Sequence, residues 1–177
     1  AIIDTNPVYT WDGSTGGDWT DGTNWIGGSA PSLNDGTENI VIPNGCPNYP
    51  TLPALAWSIN QLSMDGGASI TLGAFDLSVT GAISNAGTIV VAGTGRPSKN
   101  DTDSGLVRYT VSGGVVADFG ATDYWNLELA PSAAATFARS AASGVALAVA
   151  NALTVGADAT LDLDANDFAA ASLSNDG

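Results

Sequence analysis

The stretch NQLSMDGGASITLGAFDLS at residues 60–78 decides the fold, because a related stretch occupies residues 151–169 without a gap. The matched positions are apolar, turn-forming or polar, as in the pairs Asn60/Asn151 and Leu62/Leu153. A chain that returns to the same short strand-and-turn sequence typically builds a solenoid, one coil at a time. None of the copied positions suggests a catalytic group, so the repeat indicates architecture rather than activity.

Short alternating runs of four to six residues fill the chain from about residue 58 onward, and Gly, Asn and Asp separate them. Such runs predict strands, and these turn residues tolerate a positive φ. Apolar residues expected to begin the same face of successive coils recur in steps of 27, 18, 20 and 26, at Leu62, Ile89, Val107, Leu127 and Leu153. This spacing fits one turn of a parallel β-helix, with two or three short strands and their corners.

The predicted fold is therefore all-β: a right-handed parallel β-helix with an N-terminal aromatic capping region. The hand follows from the strong preference of parallel crossover connections. The alternative is an antiparallel sandwich, because Asp-Gly and Asn-Gly dipeptides are typical of two-residue hairpins and the chain contains six. Four of the six lie before residue 46, where hairpins or irregular structure are expected. The alanine-rich segment 140–153 alternates with a period of two, which favours a strand over a helix.

Two regions are predicted from the distribution of tryptophan and proline. Residues 1–57 hold four of the five tryptophans and six of the eight prolines and form the N-terminal cap. Residues 58–177 form the coils of the β-helix and are expected to end without a C-terminal cap. A solenoid exposes an unpaired strand edge and an apolar cross-section at each end, and bulky aromatics with prolines suit the task of covering one.

The N-terminal motif resembles a known class of proteins. Trp11-Asp12-Gly13 is followed by Trp19, by Asn24-Trp25, and by a short run that ends in Ile42-Pro43. This order is similar to the start of bacterial secreted β-solenoid surface proteins, of the autotransporter-passenger and adhesin-like kind. The resemblance implies a parallel β-helix at the cell surface. It implies little about activity, since one fold serves many functions.

The charge balance excludes several classes of partner. Sixteen Asp and two Glu against four Arg and Lys give a net charge of −14. Nucleic-acid binding needs clustered cations and is not expected. No stretch of about 18 apolar residues is present, so no direct membrane insertion is predicted. The lone Cys46 cannot form an intrachain disulfide. The abundance of Thr, Ser, Asn and Gly favours an extracellular location, and the resemblance implies a bacterial cell surface.

Sugar binding is one hypothesis for the aromatic residues of the cap. Aromatic faces stack on pyranose rings, and the neighbouring carboxylates and amides can bond hydroxyl groups. The candidate carbohydrate-binding residues are Trp11, Trp19, Trp25 and Tyr49. The alternative is a buried plug at the end of the β-helix, because tryptophan usually buries most of its large surface.

Calcium is the one candidate ion, and no other cofactor is predicted. Hard cations prefer several carboxylate and carbonyl oxygens together. Two runs offer oxygen ligands at alternate positions, and the candidate metal ligands are Asn100, Asp101, Asp103, Asp162 and Asp164. The second run lacks the glycine and the distant glutamate of an EF-hand loop. A solvated strand face is the simpler interpretation there.

Catalysis has little support in the sequence, and the protein is not expected to be an enzyme. The chain contains no histidine, so no Ser-His-Asp or Cys-His arrangement exists. Two carboxylates suffice for glycoside hydrolysis, but 18 scattered acids make any chosen pair arbitrary. A carbohydrate-binding module or a polysaccharide-active β-helix enzyme stays as the alternative function.

The predicted function is structural and adhesive: an extracellular β-solenoid module, as part of a cell-surface protein or of a head-to-tail filament. The last coil is expected to stop at a turn without aromatic closure. Its partner would be either downstream solenoid repeats or another copy of the chain, and surface glycans are further candidates. The candidate self-assembly strand contains Ile2, Ile3 and Val8. Heterologous contacts of this kind propagate into filaments.

Overall fold

The computed structural model describes residues 5–119, 123–139, 146–163 and 168–176. Within them the chain is almost entirely parallel β-structure, wound into a β-solenoid of about six turns. One short 3-10 helix, Gly22–Asn24, is the helical element of the described residues. The strands are β1 Val8–Thr10, β2 Asn39–Ile42, β3 Trp57–Ile59, β4 Gln61–Met64, β5 Ser69–Leu72, β6 Leu77–Val79, β7 Ile83–Asn85, β8 Thr88–Val91, β9 Leu106–Tyr109, β10 Gly114–Val116, β11 Tyr124–Leu129, β12 Ala135–Arg139, β13 Leu147–Val155, β14 Ala159–Asp162 and β15 Phe168–Asn175.

The solenoid wall has three sides. The first sheet contains β1, β2, β4 and β7 in that order, and the second, here called the long sheet, contains β5, β8, β9, β11, β13 and β15. The third side is split into a pair, β3 and β6, and a separate three-stranded sheet of β10, β12 and β14. Every pairing between these strands is parallel, which confirms the predicted β-helix over the sandwich alternative.

The core consists of apolar side chains that stack directly above one another along each sheet. In the long sheet, Ile89 pairs with Val107, Val107 with Leu127, and Leu127 with Leu153. These four residues are buried, as the predicted common face requires. Leu62 was wrongly placed in this row: it lies in the first sheet, and Ile70 of β5 is the partner of Ile89.

The sequence repeat copies a corner of the coil. Asn60 donates its side-chain amide to Oδ1 of Asn39 at 2.8 Å, and Asn151 donates to Oδ1 of Asn126 at 2.8 Å. Each asparagine thus bonds the asparagine one turn earlier. The copies stand on different sides of the solenoid, because β4 belongs to the first sheet and β13 to the long sheet. The repeat is therefore a local strand-and-turn unit.

The strand ladder continues from the coils into the N-terminal region, where β2 pairs with both β1 and β4. Other parts of this region are irregular, and Trp11 forms an isolated antiparallel bridge with Trp25, in line with the expected hairpin-like character. Gly13 has a φ of 62°, and a Cβ there would collide with the Asn48 carbonyl oxygen. A side chain at this position would therefore force two segments of the N-terminal region apart.

The alternating part of the alanine-rich segment is a strand, as predicted: β13 begins at Leu147 and alternates buried and open positions at its start. Residues 140–145 lie outside the described residues. The strands β12 and β15 are rich in small residues, so their hydrophobic alternation is weak. The right-handed sense stays an expectation from the crossover rule.

Candidate functional site

Four tryptophan side chains form an aromatic cluster at the N-terminal end of the solenoid. The Trp25 ring packs edge to face on Trp11 at 5.0 Å between centroids and on Trp19 at 4.9 Å. Trp19 in turn lies 5.5 Å from Trp57, whose strand β3 belongs to the coil wall. Edge-to-face pairs of this kind stabilise beyond their buried area. The cluster therefore joins the irregular N-terminal region to the first complete turn.

The indoles of Trp11, Trp19 and Trp25 are fully buried. Trp25 Nε1 donates to the Trp19 carbonyl oxygen at 2.8 Å, and Trp11 Nε1 donates to the Asn48 carbonyl oxygen at 2.8 Å. A buried ring has no face open for a pyranose, so burial contradicts the sugar-stacking interpretation of these three residues. It agrees with the alternative of a plug.

Tyr49, the fourth candidate for sugar binding, lies apart from the stacked rings. It is half-buried against the core, and its hydroxyl accepts from the Gly45 amide at 3.1 Å and donates to Asn44 Oδ1 at 3.3 Å. Through these two hydrogen bonds, the Tyr49 hydroxyl stabilises the turn after β2. The structure therefore does not assemble the four predicted aromatics into one binding face.

In the Asn100–Ser104 loop, the Asp101 carboxylate accepts hydrogen bonds from backbone amides. Asp101 is buried and accepts from the Asn85 amide at 2.7 Å, from the Ser104 hydroxyl at 3.1 Å and from the Asp103 amide at 3.1 Å. Burial would raise the pKa of Asp101, but these hydrogen bonds outweigh it and the pKa lies below its ordinary value of 3.8. The Asp101 carboxylate thus binds the backbone of Asn85, the last residue of β7, at the edge of the first sheet.

The candidate calcium ligands are not brought together. Asp103 is exposed, Asn100 donates to the Asp123 carbonyl oxygen at 3.4 Å, and Asp162 lies exposed on β14 at another side of the wall. Asp164 lies outside the described residues. In the ranges that the structure describes, no group of three acidic, histidine or cysteine side chains could hold a metal ion. The calcium prediction gains no geometric support at either run.

Asp101→Asn is expected to lower the free energy of unfolding by about 1–3 kcal/mol at neutral pH, because charged acceptors strengthen buried hydrogen bonds. The lowered pKa means that this stabilisation is present above pH 3.8 and is lost as the pH falls through the folded-state pKa. Urea unfolding at neutral pH and again in acid measures the effect. The difference between variant and wild type should shrink in acid; an unchanged difference would show that the carboxylate charge contributes nothing.

The N-terminal edge of the first sheet is β1, and its side chain Val8 is 63% exposed. Part of this edge is already occupied, since the Ile26 amide donates to the Thr10 carbonyl oxygen. Ile2 and Ile3 lie outside the described residues. Of the predicted self-assembly strand, only Val8 can therefore be placed, and its side chain is exposed on the edge strand β1.

The C-terminal edge of the long sheet is β15, which pairs with β13 on one side. Most of its side chains are open to solvent, including Phe168 at 39% and Leu173 at 55% exposure. Leu173 continues the buried row above Leu153. A cavity of about 450 Å³ opens here, lined mainly by apolar side chains of the last coil. Among the described residues the two ends of the solenoid thus differ: indoles are buried at one, and apolar side chains of β15 are exposed at the other.

Buried polar groups connect the middle coils, and the sequence pattern does not predict them. The Tyr109 and Tyr124 hydroxyls lie 3.1 Å apart, Tyr109 accepts from the Ala117 amide, and Tyr124 donates to the Ala117 carbonyl oxygen. Burial raises the pKa of both phenols. Arg139 Nη2 lies 2.9 Å from Asp118 Oδ2, with both side chains buried. These partners lie one coil or less apart in sequence, but no motif marks them.

Comparisons with protein-family models, with curated proteins and with solved structures gave no match. The resemblance to bacterial surface β-solenoids therefore stays a prediction. No helix within the described ranges is long and apolar enough to cross a membrane.

Proposed function

We propose that the chain is a structural and adhesive β-solenoid module of an extracellular surface protein, and that its last coil is covered by a further β-coil. The observation that carries the proposal is the difference between the two ends. The N-terminal end buries its aromatic side chains, whereas β15 presents Phe168 and Leu173 to solvent. Apolar surface gathered at one place usually marks a contact site.

The last coil can be extended without rearrangement. β15 is parallel to β13, and its register continues the rows of the long sheet. An added parallel strand would bond the backbone along the outer edge of β15 and place its apolar residues over Leu173 and Phe168. Each further turn would bury the row beneath it, as in the stacked coils of the structure.

The covering coil belongs either to downstream repeats or to a second copy of the chain. In a second copy, the exposed start of β1 around Val8 is the available edge. The net charge of −14 opposes contact between copies, because like charges repel at low ionic strength. Added salt screens this repulsion over distances of about 10 Å or less. Association between copies is therefore expected to strengthen with salt.

Sedimentation velocity at rising protein concentration, in low and high NaCl, tests the second-copy form. Wild-type protein is expected to form larger species at high salt, and Leu173→Lys is expected to stay monomeric because a charge would enter the contact. Leu55→Lys is the matched control, since Leu55 is also exposed, at 44%, but lies before β3 on the side wall. Equal association of all three proteins would exclude the last coil as the contact.

The downstream-repeat form has its own test. A fluorescent dye that binds exposed apolar surface should bind wild type and Leu55→Lys alike, and Leu173→Lys more weakly. A chain extended by one further coil should lose the same binding. Undiminished dye binding in both Leu173→Lys and the extended chain would contradict an open apolar end.

A further inference from the structure

The third side of the solenoid wall contains a break. The β3–β6 pair continues only to an isolated parallel bridge between Leu77 and Pro97, and the next sheet begins at β10. Between these two parts lies an open groove of about 580 Å³, within the usual range of small-molecule sites. The groove is lined by residues 93–98 on one wall and 113–119 on the other. We call it the wall groove.

Arg96 spans the wall groove and is held in a fixed orientation. Its Nε donates to the Val115 carbonyl oxygen at 3.0 Å, and its Nη1 donates to the Gly93 and Gly95 carbonyl oxygens at 2.9 and 2.8 Å. The guanidinium carbon also lies 5.2 Å from the centre of the buried Tyr109 ring. A guanidinium held in this way loses little conformational freedom when a ligand binds.

Among the described residues, the Arg96 charge has no acidic partner. Three of its five side-chain N–H groups bond carbonyl oxygens, which leaves the two on Nη2. No carboxylate lies within ion-pair distance of this guanidinium in the described part of the chain, whereas Arg108 and Arg139 are paired with Glu128 and Asp118. A free cation fixed in place is unusual in a protein of net charge −14. It is complementary to an anionic group.

The surroundings of Nη2 are open and largely neutral. Gly113 and Gly114 have φ values of 104° and 133°, and a Cβ on Gly114 would stand 3.5 Å from Nη2. The missing side chain of Gly114 keeps the approach to the guanidinium clear. The half-buried Phe119 adds apolar surface, while Thr94 and Ser98 add hydroxyl groups. Asp118, the one acid of the lining, is buried and neutralised by Arg139.

We propose that the wall groove binds a ring-shaped ligand with a single carboxylate, of the uronate sugar class. The carboxylate would accept from Arg96 Nη2, the ring would lie against the half-buried Phe119, and its hydroxyls would bond the exposed backbone near Gly113. This site is separate from the aromatic cluster and from the last coil. Its ligand would give the module a chemical specificity in addition to its structural role.

Amide chemical shifts on titration with glucuronate, glucose and acetate test the proposal on the unmodified protein. Glucuronate is expected to shift the Gly113 and Gly114 amides with a millimolar Kd, as suits one charge contact in an open groove. Glucose lacks the carboxylate and acetate lacks the ring, so each is expected to bind at least tenfold more weakly. If acetate or glucose binds as tightly as glucuronate, the uronate assignment is wrong. If glucuronate shifts neither the Gly113 nor the Gly114 amide, the wall groove is not the binding site.

Two arginine variants locate the charge contact. Arg96→Gln is expected to lose glucuronate binding at least tenfold, and Arg96→Lys to keep part of it. Arg108→Gln is the matched control, because that guanidinium lies on the long sheet and contacts Glu128. Circular dichroism shows whether each variant keeps its strands. If folded Arg96→Gln binds glucuronate as tightly as wild type does, Arg96 does not bind the carboxylate. If this variant fails to fold, the titration of the unmodified protein still tests the site.

Discussion

Trp25→Ala is expected to lower the free energy of unfolding by about 3–5 kcal/mol, the range for deleting a buried large aromatic side chain. Trp25 is central to the aromatic cluster, because it contacts Trp11, Trp19 and Tyr9 by edge-to-face packing. The variant would leave a cavity and remove the bond from Nε1 to the Trp19 carbonyl oxygen. Urea unfolding followed by circular dichroism measures the loss.

Trp125→Ala is the matched control, since this indole is half-buried and lies outside the cluster. Its loss is expected to be about 1 kcal/mol, as is usual for a single substitution. A finer comparison separates packing from hydrogen bonding. Trp19 Nε1 has no partner among the described residues, so Trp19→Phe should cost less than Trp25→Phe. Equal losses in the free energy of unfolding for Trp25→Ala and Trp125→Ala would contradict the role of the aromatic cluster as a buried plug.

Asp118→Asn is expected to destabilise the fold by about 3–5 kcal/mol, because breaking a buried ion pair leaves a charge without compensation. Arg139 ends β12 and Asp118 follows β10, so the pair links two successive coils of the third side. The side chains are 3% and 2% exposed, which keeps water from replacing the lost contact. Thermal and urea unfolding at neutral pH would show the effect.

A double replacement distinguishes the pair from the packing around it. Asp118→Leu with Arg139→Met removes both charges and is expected to be much less destabilising than Asp118→Asn alone. The partly exposed pair of Arg108 and Glu128 is the comparison, where Glu128→Gln should cost about 0–1 kcal/mol. If Asp118→Asn were no worse than Glu128→Gln, the buried pair would not hold the coils together.

Much of the fold follows from the spacing of apolar residues. Ile89, Val107, Leu127 and Leu153 stack because each coil returns after 18 to 26 residues to the same side of the wall. Leu62 was misplaced because strands of the first sheet and the long sheet share the same alternation. Periodicity reports that a side chain faces the core, but it does not say which of three walls carries it.

The functional residues are harder to predict, because side-chain type does not determine exposure. The indole of Trp11 would serve equally as a sugar platform or as a plug, and only the contacts of the folded chain decide. Asp101 likewise offers a carboxylate that suits a metal or the backbone amide of Asn85. The free guanidinium of Arg96 depends on carbonyl groups from two segments of the wall, which no local motif records.

The central claim is a single parallel stack of coils, and distances between spin labels test it most directly. With Cys46 replaced, labels go on the outward positions Thr71 and Ser174, or on Thr71 and Thr154. Five steps along the long sheet predict about 24 Å between the first two backbones, and four steps about 19 Å. A difference of one strand spacing would support the stack, whereas equal distances, or a shorter distance to Ser174, would contradict it.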